Sequence, residues 1–181
     1  YMVVSGKHYN QWCCFDYGNA ETNNLDNGDA TMEAVYFGSS NRYLYAVKSS
    51  GIVKWKFQTG GAIDDSPVVQ SDGTIYFGSH DKSFYAVGAD GQKKWALATG
   101  GPIISSPALD KDRGVYFTSV DGCFYAVGLD GRLRWRLRTG GITESSPVIA
   151  QDGLIYVAVN SAWWAITEDG KKQWEGPEEG P

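Results

Sequence analysis

The chain has 181 residues, 42% of them hydrophobic and 14% aromatic, with seven Trp, eleven Tyr and 23 Gly. That is enough for one domain with its own core, and abundant aromatics and Gly beside few Leu and Ala favour short strands joined by tight turns. A net charge of −5 argues against a nucleic-acid partner, and no apolar run approaches the roughly 18 residues that a membrane helix needs. No secretory leader is visible, and an opening Tyr1 reads as a processed product or a piece of a longer chain.

In chain order, YMVVSG at residues 1–6 has the alternation and branching of a strand. QWCCFDYGNAE at 11–21 then sets Cys13 beside Cys14, in a chain whose other cysteine is Cys123. An adjacent pair points toward an oxidising setting, extracytoplasmic or secreted. From residue 34 the chain becomes a repeat. Tyr36, Tyr76, Tyr116 and Tyr156 are spaced 40, 40 and 40, and Trp55, Trp95, Trp135 and Trp174 are spaced 40, 40 and 39. Pro67, Pro107 and Pro147 keep the same period. The unit can be written as an SP-V strand, an IYFGS strand, an FYAV strand, an Asp-Gly turn and a KW-L strand, with TGG at Thr59–Gly61, Thr99–Gly101 and Thr139–Gly141 closing one unit and opening the next. Four short strands in about 40 residues are the signature of a propeller blade, and blades must stack because one alone buries neither face. The expected organisation is a segment at 1–33 that completes or caps a blade, a propeller at 34–176 and a tail at 177–181.

The first unit has no SP strand of its own, so the repeat supplies fifteen strands, one short of four blades; YMVVSG is the expected sixteenth. Four blades form a small closed ring, or half of a larger ring completed by a second chain, or a fragment. Open blade faces would expose apolar surface, so a homodimer or another ring-completing partner is expected.

The repeat over residues 34–176 resembles the PQQ-like propeller repeat, found in quinoprotein dehydrogenases and in the outer-membrane assembly lipoprotein that shares their fold. The resemblance implies an all-β propeller of about four four-stranded blades, with rings of seven or eight blades usual in the family. It implies little about function, because enzymes and scaffolds share the fold. A second resemblance covers residues 5–38. There CCFDYGNAET and TMEAVYFG are similar to the catalytic domain of family 54 α-L-arabinofuranosidases. It implies that Cys13 and Cys14 form a vicinal disulfide on which arabinose packs and that Asp16 helps bind the sugar. The family's nucleophile and acid lie beyond the matched segment. AVYFGSS at 34–40 fits both patterns, which reads as the seam of two joined genes.

Retaining hydrolysis needs two carboxylates about 5–5.5 Å apart. Near the cysteines the candidates are Asp16, Glu21 and Glu33, with Asp16 and Glu33 the catalytic pair if the chain is a hydrolase. Quinoproteins also set a vicinal disulfide against their quinone, but this chain is far shorter, so PQQ is not expected and neither is another cofactor. His8 and His80 show no metal-ligand spacing. Asp64, Asp65, Ser105, Ser106, Glu144, Ser145 and Ser146 recur where the chain approaches each SP strand, and are candidates to line the central channel. Ten of the sixteen Lys and Arg lie on the Trp strands, as expected for a charged outer edge that resists edge pairing. The leading expectation is a non-catalytic binding or scaffold module with a possible carbohydrate ligand. The alternative is an arabinofuranosidase-like hydrolase, and a quinoprotein dehydrogenase is a remote third.

Overall fold

The computed structural model describes residues 34–177 and the two-residue strand Cys14–Phe15. The described residues form four antiparallel sheets of four strands and no helix. Blade 1 is β1 (Cys14–Phe15), β2 (Val35–Gly38), β3 (Tyr43–Val47) and β4 (Val53–Gln58). Blade 2 is β5 (Val68–Val69), β6 (Ile75–Gly78), β7 (Ser83–Val87) and β8 (Lys93–Ala98). Blade 3 is β9 (Ala108–Asp110), β10 (Gly114–Ser119), β11 (Cys123–Val127) and β12 (Leu133–Arg138). Blade 4 is β13 (Val148–Ile149), β14 (Ile155–Val159), β15 (Ala162–Ile166) and β16 (Lys172–Pro177).

The expected period is present in three dimensions. In each blade the repeated Tyr meets the repeated Trp, with ring centroids 5.7 Å apart for Tyr36–Trp55 and Tyr76–Trp95, and 5.9 Å for Tyr116–Trp135 and Tyr156–Trp174. β9 lies beside both β5 and β13, so the SP strands are innermost. The Trp strands β4, β8 and β12 alternate exposed and half-buried residues and form the outer edge, where their Lys and Arg reach water.

The sixteenth strand is not the expected one. Cys14 pairs with Tyr36 and Phe15 with Val35, the register that Val68 and Val69 keep with Tyr76 and Ile75 in blade 2. Cys14–Phe15 therefore takes the innermost place in blade 1, and YMVVSG lies outside the described residues.

The core lies between blades rather than within them. Tyr36, Leu44 and Ala46 of blade 1 pack on Ile63, Ile75, Phe77 and Val87 of blade 2. The same positions meet at the next interface, where Tyr76, Phe84 and Ala86 pack on Ile103, Val115, Phe117 and Val127. Gly38 makes the first interface possible: a Cβ there would lie 2.2 Å from Cγ2 of Ile63, and Gly78 stands in the same relation to Ile103. A side chain at either glycine would separate the blades.

Candidate functional site

Around each innermost strand the chain alternates sides, as extended backbone must. Ile63, Asp65 and Pro67 point inward and are buried, while Asp64 is exposed and Ser66 half-buried. Asp65 is 3% exposed and Ser105 is 1% exposed. Both hold the backbone of their own blade. One Asp65 oxygen accepts the Gly78 N–H at 2.6 Å. Ser105 Oγ accepts the Thr118 N–H at 3.0 Å and donates to the Thr118 carbonyl at 3.1 Å. Ser145, half-buried, accepts the Ala158 N–H through its Oγ at 3.3 Å. Asp65 is the costly version of this staple, because its second oxygen is buried with no partner among the described residues. Burial pushes its carboxyl up to about 8, against the opposing effect of the Gly78 N–H.

Ser106 belongs to a different line. Its Oγ accepts the Ser66 N–H at 2.9 Å, and its own N–H donates to Ser146 Oγ at 2.9 Å. Three blades are thus stitched through one serine each, and Ser66 joins a set of which the sequence singled out Ser106 and Ser146. Glu144 is exposed. Asp64 pairs with His80 at 2.8 Å, with both side chains partly open to water. Such a pair contributes little to stability. Cys13, Asp16, Glu21 and Glu33 lie outside the described residues, and Cys14 is described by its strand alone. No group of three or more His, Cys, Asp or Glu among the described residues is placed to hold a metal.

At the rim, the repeated Trp of blades 1, 2 and 3 each reach forward to the next blade. Trp55 Nε1 donates to the Ala89 carbonyl at 2.9 Å, Trp95 to Leu129 at 3.0 Å and Trp135 to Glu168 at 2.7 Å. Each indole lies on the glycine of the receiving Asp-Gly turn: a Cβ on Gly91, Gly131 or Gly170 would come within 2.8 Å of Trp55, 2.7 Å of Trp95 or 2.7 Å of Trp135. A shallow groove of about 280 Å³ between blades 3 and 4 is lined by Arg113, Leu154, Thr167 and Glu168, and the Arg113–Glu168 ion pair at 2.7 Å crosses it. Nearer the channel, the TGG corners dock through Gly60 and Gly100, whose N–H groups donate to Asp81 at 2.7 Å and Asp121 at 2.8 Å. In blade 4 the aligned residue is Ser161 and this tie is not repeated.

Blades of this build, latched Trp to turn, define a PQQ-like β-propeller unit. The crystal structure of BamB from Moraxella catarrhalis superposes with a TM-score of 0.68 at 18% identity, covering 80% of this chain and 46% of that one. Residues 98–181 match the family profile described as outer membrane protein assembly factor BamB. Residues 1–101 match the profile described as alpha-L-arabinofuranosidase B, catalytic, and the chain belongs to that family. Alpha-L-arabinofuranosidase B of Emericella nidulans is 56% identical over 45 residues, 25% of this chain and 9% of that protein. The alpha-L-arabinofuranosidase of Hypocrea jecorina is 65% identical over 40 residues, 22% of this chain and 8% of that protein. These alignments span less than a tenth of the curated relatives. The two profile matches meet at residues 98–101, inside the repeat, whereas the high-identity matches to curated relatives run 40–45 residues. Residues 34–101 have the propeller's strands, spacing and latches, so the blade geometry decides their structure. An arabinofuranosidase-type segment and a BamB-like propeller are present in one chain.

Proposed function

We propose that the chain is a non-catalytic β-propeller module for binding or scaffolding, in which the arabinofuranosidase-type segment serves as part of the first blade. One observation carries this reading. AVYFG, which closes the enzyme-like stretch at residues 5–38, forms β2 in blade register, and its Gly38 is the seat of Ile63 from the next blade. The carboxylates of the described repeat support it as well. Asp65 holds the backbone of β6, while Asp81 and Asp121 hold the TGG corners. These are structural tasks.

The second reading, an arabinofuranosidase-like hydrolase, is favoured by the profile match over residues 1–101, which contain CCFDYGNAET. In it a Cys13–Cys14 disulfide would form a rigid sugar platform, Asp16 would bind the sugar, and Asp16 and Glu33 would be the candidate catalytic carboxylates. Hydrolysis of an aryl α-L-arabinofuranoside separates the two. The module reading expects no turnover above that of the Cys13→Ala variant. Robust turnover abolished in Asp16→Asn or Glu33→Gln would establish the hydrolase instead.

A further inference from the structure

Blade 4 carries the forward half of an interface that the chain makes three times, and nothing among the described residues fills it. Tyr36, Tyr76 and Tyr116 are each at most 2% exposed, and Phe84 and Phe124, at the position of Trp163, are fully buried against the following blade. In blade 4 Trp163 is 43% exposed, Trp174 45% and Val148 61%. Blade 1 carries the matching backward half. Ile75, Phe77 and Val87 of blade 2 are fully buried, whereas Val35, Phe37 and Val47 at the same places in blade 1 are half-exposed.

The latch shows the same vacancy at both ends. The turn at Lys48–Gly51 is already built as a receiver: Gly51 donates to the Lys48 carbonyl at 2.8 Å, as Gly91 does to Gly88, and both glycines have φ +80. Among the described residues nothing lies within 4 Å of a Cβ on Gly51, where Gly91 has Trp55 at 2.8 Å. Ser49 stands where Ala89 accepts the indole N–H.

We propose that a second copy of this chain fills both halves, with Trp174 of each copy lying on Gly51 of the other and donating to its Ser49 carbonyl. Two copies then complete one eight-bladed ring, and the same contact is made twice about a two-fold axis. The occupant follows from continuity: the open faces repeat, position by position, the interface already present between blades 1 and 2, 2 and 3, and 3 and 4. The scale agrees, since this chain superposes on 46% of a BamB propeller. The proposal rests on the blade geometry and holds whether or not the module binds a sugar.

Light scattering coupled to size exclusion, on the full chain across micromolar concentrations, tests it. The expected mass is twice the chain's 19.8 kDa. A mass of 19.8 kDa that does not rise with concentration overturns the proposal, as a ring closed on itself would require. Masses that climb without limit overturn it too, because they denote an open stack. Trp174→Ala removes the donor. Gly51→Asn keeps a residue that tolerates positive φ but places a side chain where the indole should lie. Each variant is expected to shift toward the single-chain mass with unchanged circular dichroism, and an equimolar mixture of the two should recover part of the double mass. A dimer indifferent to Gly51→Asn would show that the copies meet some other way.

Discussion

Trp95 Nε1 donates to the Leu129 carbonyl at 3.0 Å, tying the outer strand of blade 2 to a turn of blade 3. The indole also covers Gly131, so one residue gives a directed bond and a stacked surface at once. Trp95→Phe removes the bond and keeps most of the surface. It is expected to lower stability by about 1 kcal/mol, read as a lower urea midpoint at unchanged slope.

The receiving turn can be tested from its other side. Gly131 and Gly153 share a left-handed backbone, with φ +83 and +82, but a Cβ on Gly131 meets Trp95 at 2.7 Å whereas one on Gly153 meets only Arg113 at 3.8 Å. Gly153→Ala should therefore show the conformational cost alone, about 1 kcal/mol. Gly131→Ala should show that cost plus displacement of the indole, about 2–4 kcal/mol in all. Equal losses in urea unfolding would mean that the Trp–turn contact contributes nothing.

Asp65 gives the fold a pH dependence. Its carboxyl is raised by burial from 3.8 to about 8, so the folded chain keeps a proton that the unfolded chain releases. Stability from this group falls as pH rises from about 4 to about 8, by an amount on the order of 5 kcal/mol, and is level above that. Asp65→Ser installs the residue found at the equivalent Ser105 and Ser145. It is expected to flatten the slope across that window and to raise stability at pH 8, measured by urea unfolding at several pH values.

Asp65 also marks how far the sequence could be read. The 40-residue spacing of Tyr and Trp gave the blades, because both residues occupy the same packed place in every sheet. Asp65 itself could be read only as a channel candidate, because it stands at the first position of a Ser-Ser-Pro consensus that fits a channel lining and a structural staple equally. The innermost strand of blade 1 was not legible. Two residues, Cys14 and Phe15, carry no alternation, and the connection from them to Val35 is far longer than the one from Val69 to Ile75. Their place is fixed by pairing with β2, which a local pattern does not encode. The indole bonds were equally hidden, because their acceptors are backbone carbonyls that any residue supplies.

Cys123 is 8% exposed, and burial raises its thiol above the ordinary range. In a Cys13→Ala/Cys14→Ala variant, the remaining thiol is expected to resist a thiol reagent at pH 8 and to react at once in denaturant. Fast labelling of the folded variant would mean that blades 2 and 3 separate there, since Cys123 belongs to the core they share.

The arabinofuranosidase-type segment is proposed to serve as part of the first blade of a propeller. Amide hydrogen exchange, read peptide by peptide, tests it most directly. Strands β2, β3 and β4 at residues 35–58 are expected to be protected in the same cooperative unit as β6, β7 and β8 at 75–98, because Ile63 and Phe77 join their cores. Exchange of residues 35–38 within seconds, while 75–166 stay protected, would show the segment to be unattached and would contradict the account.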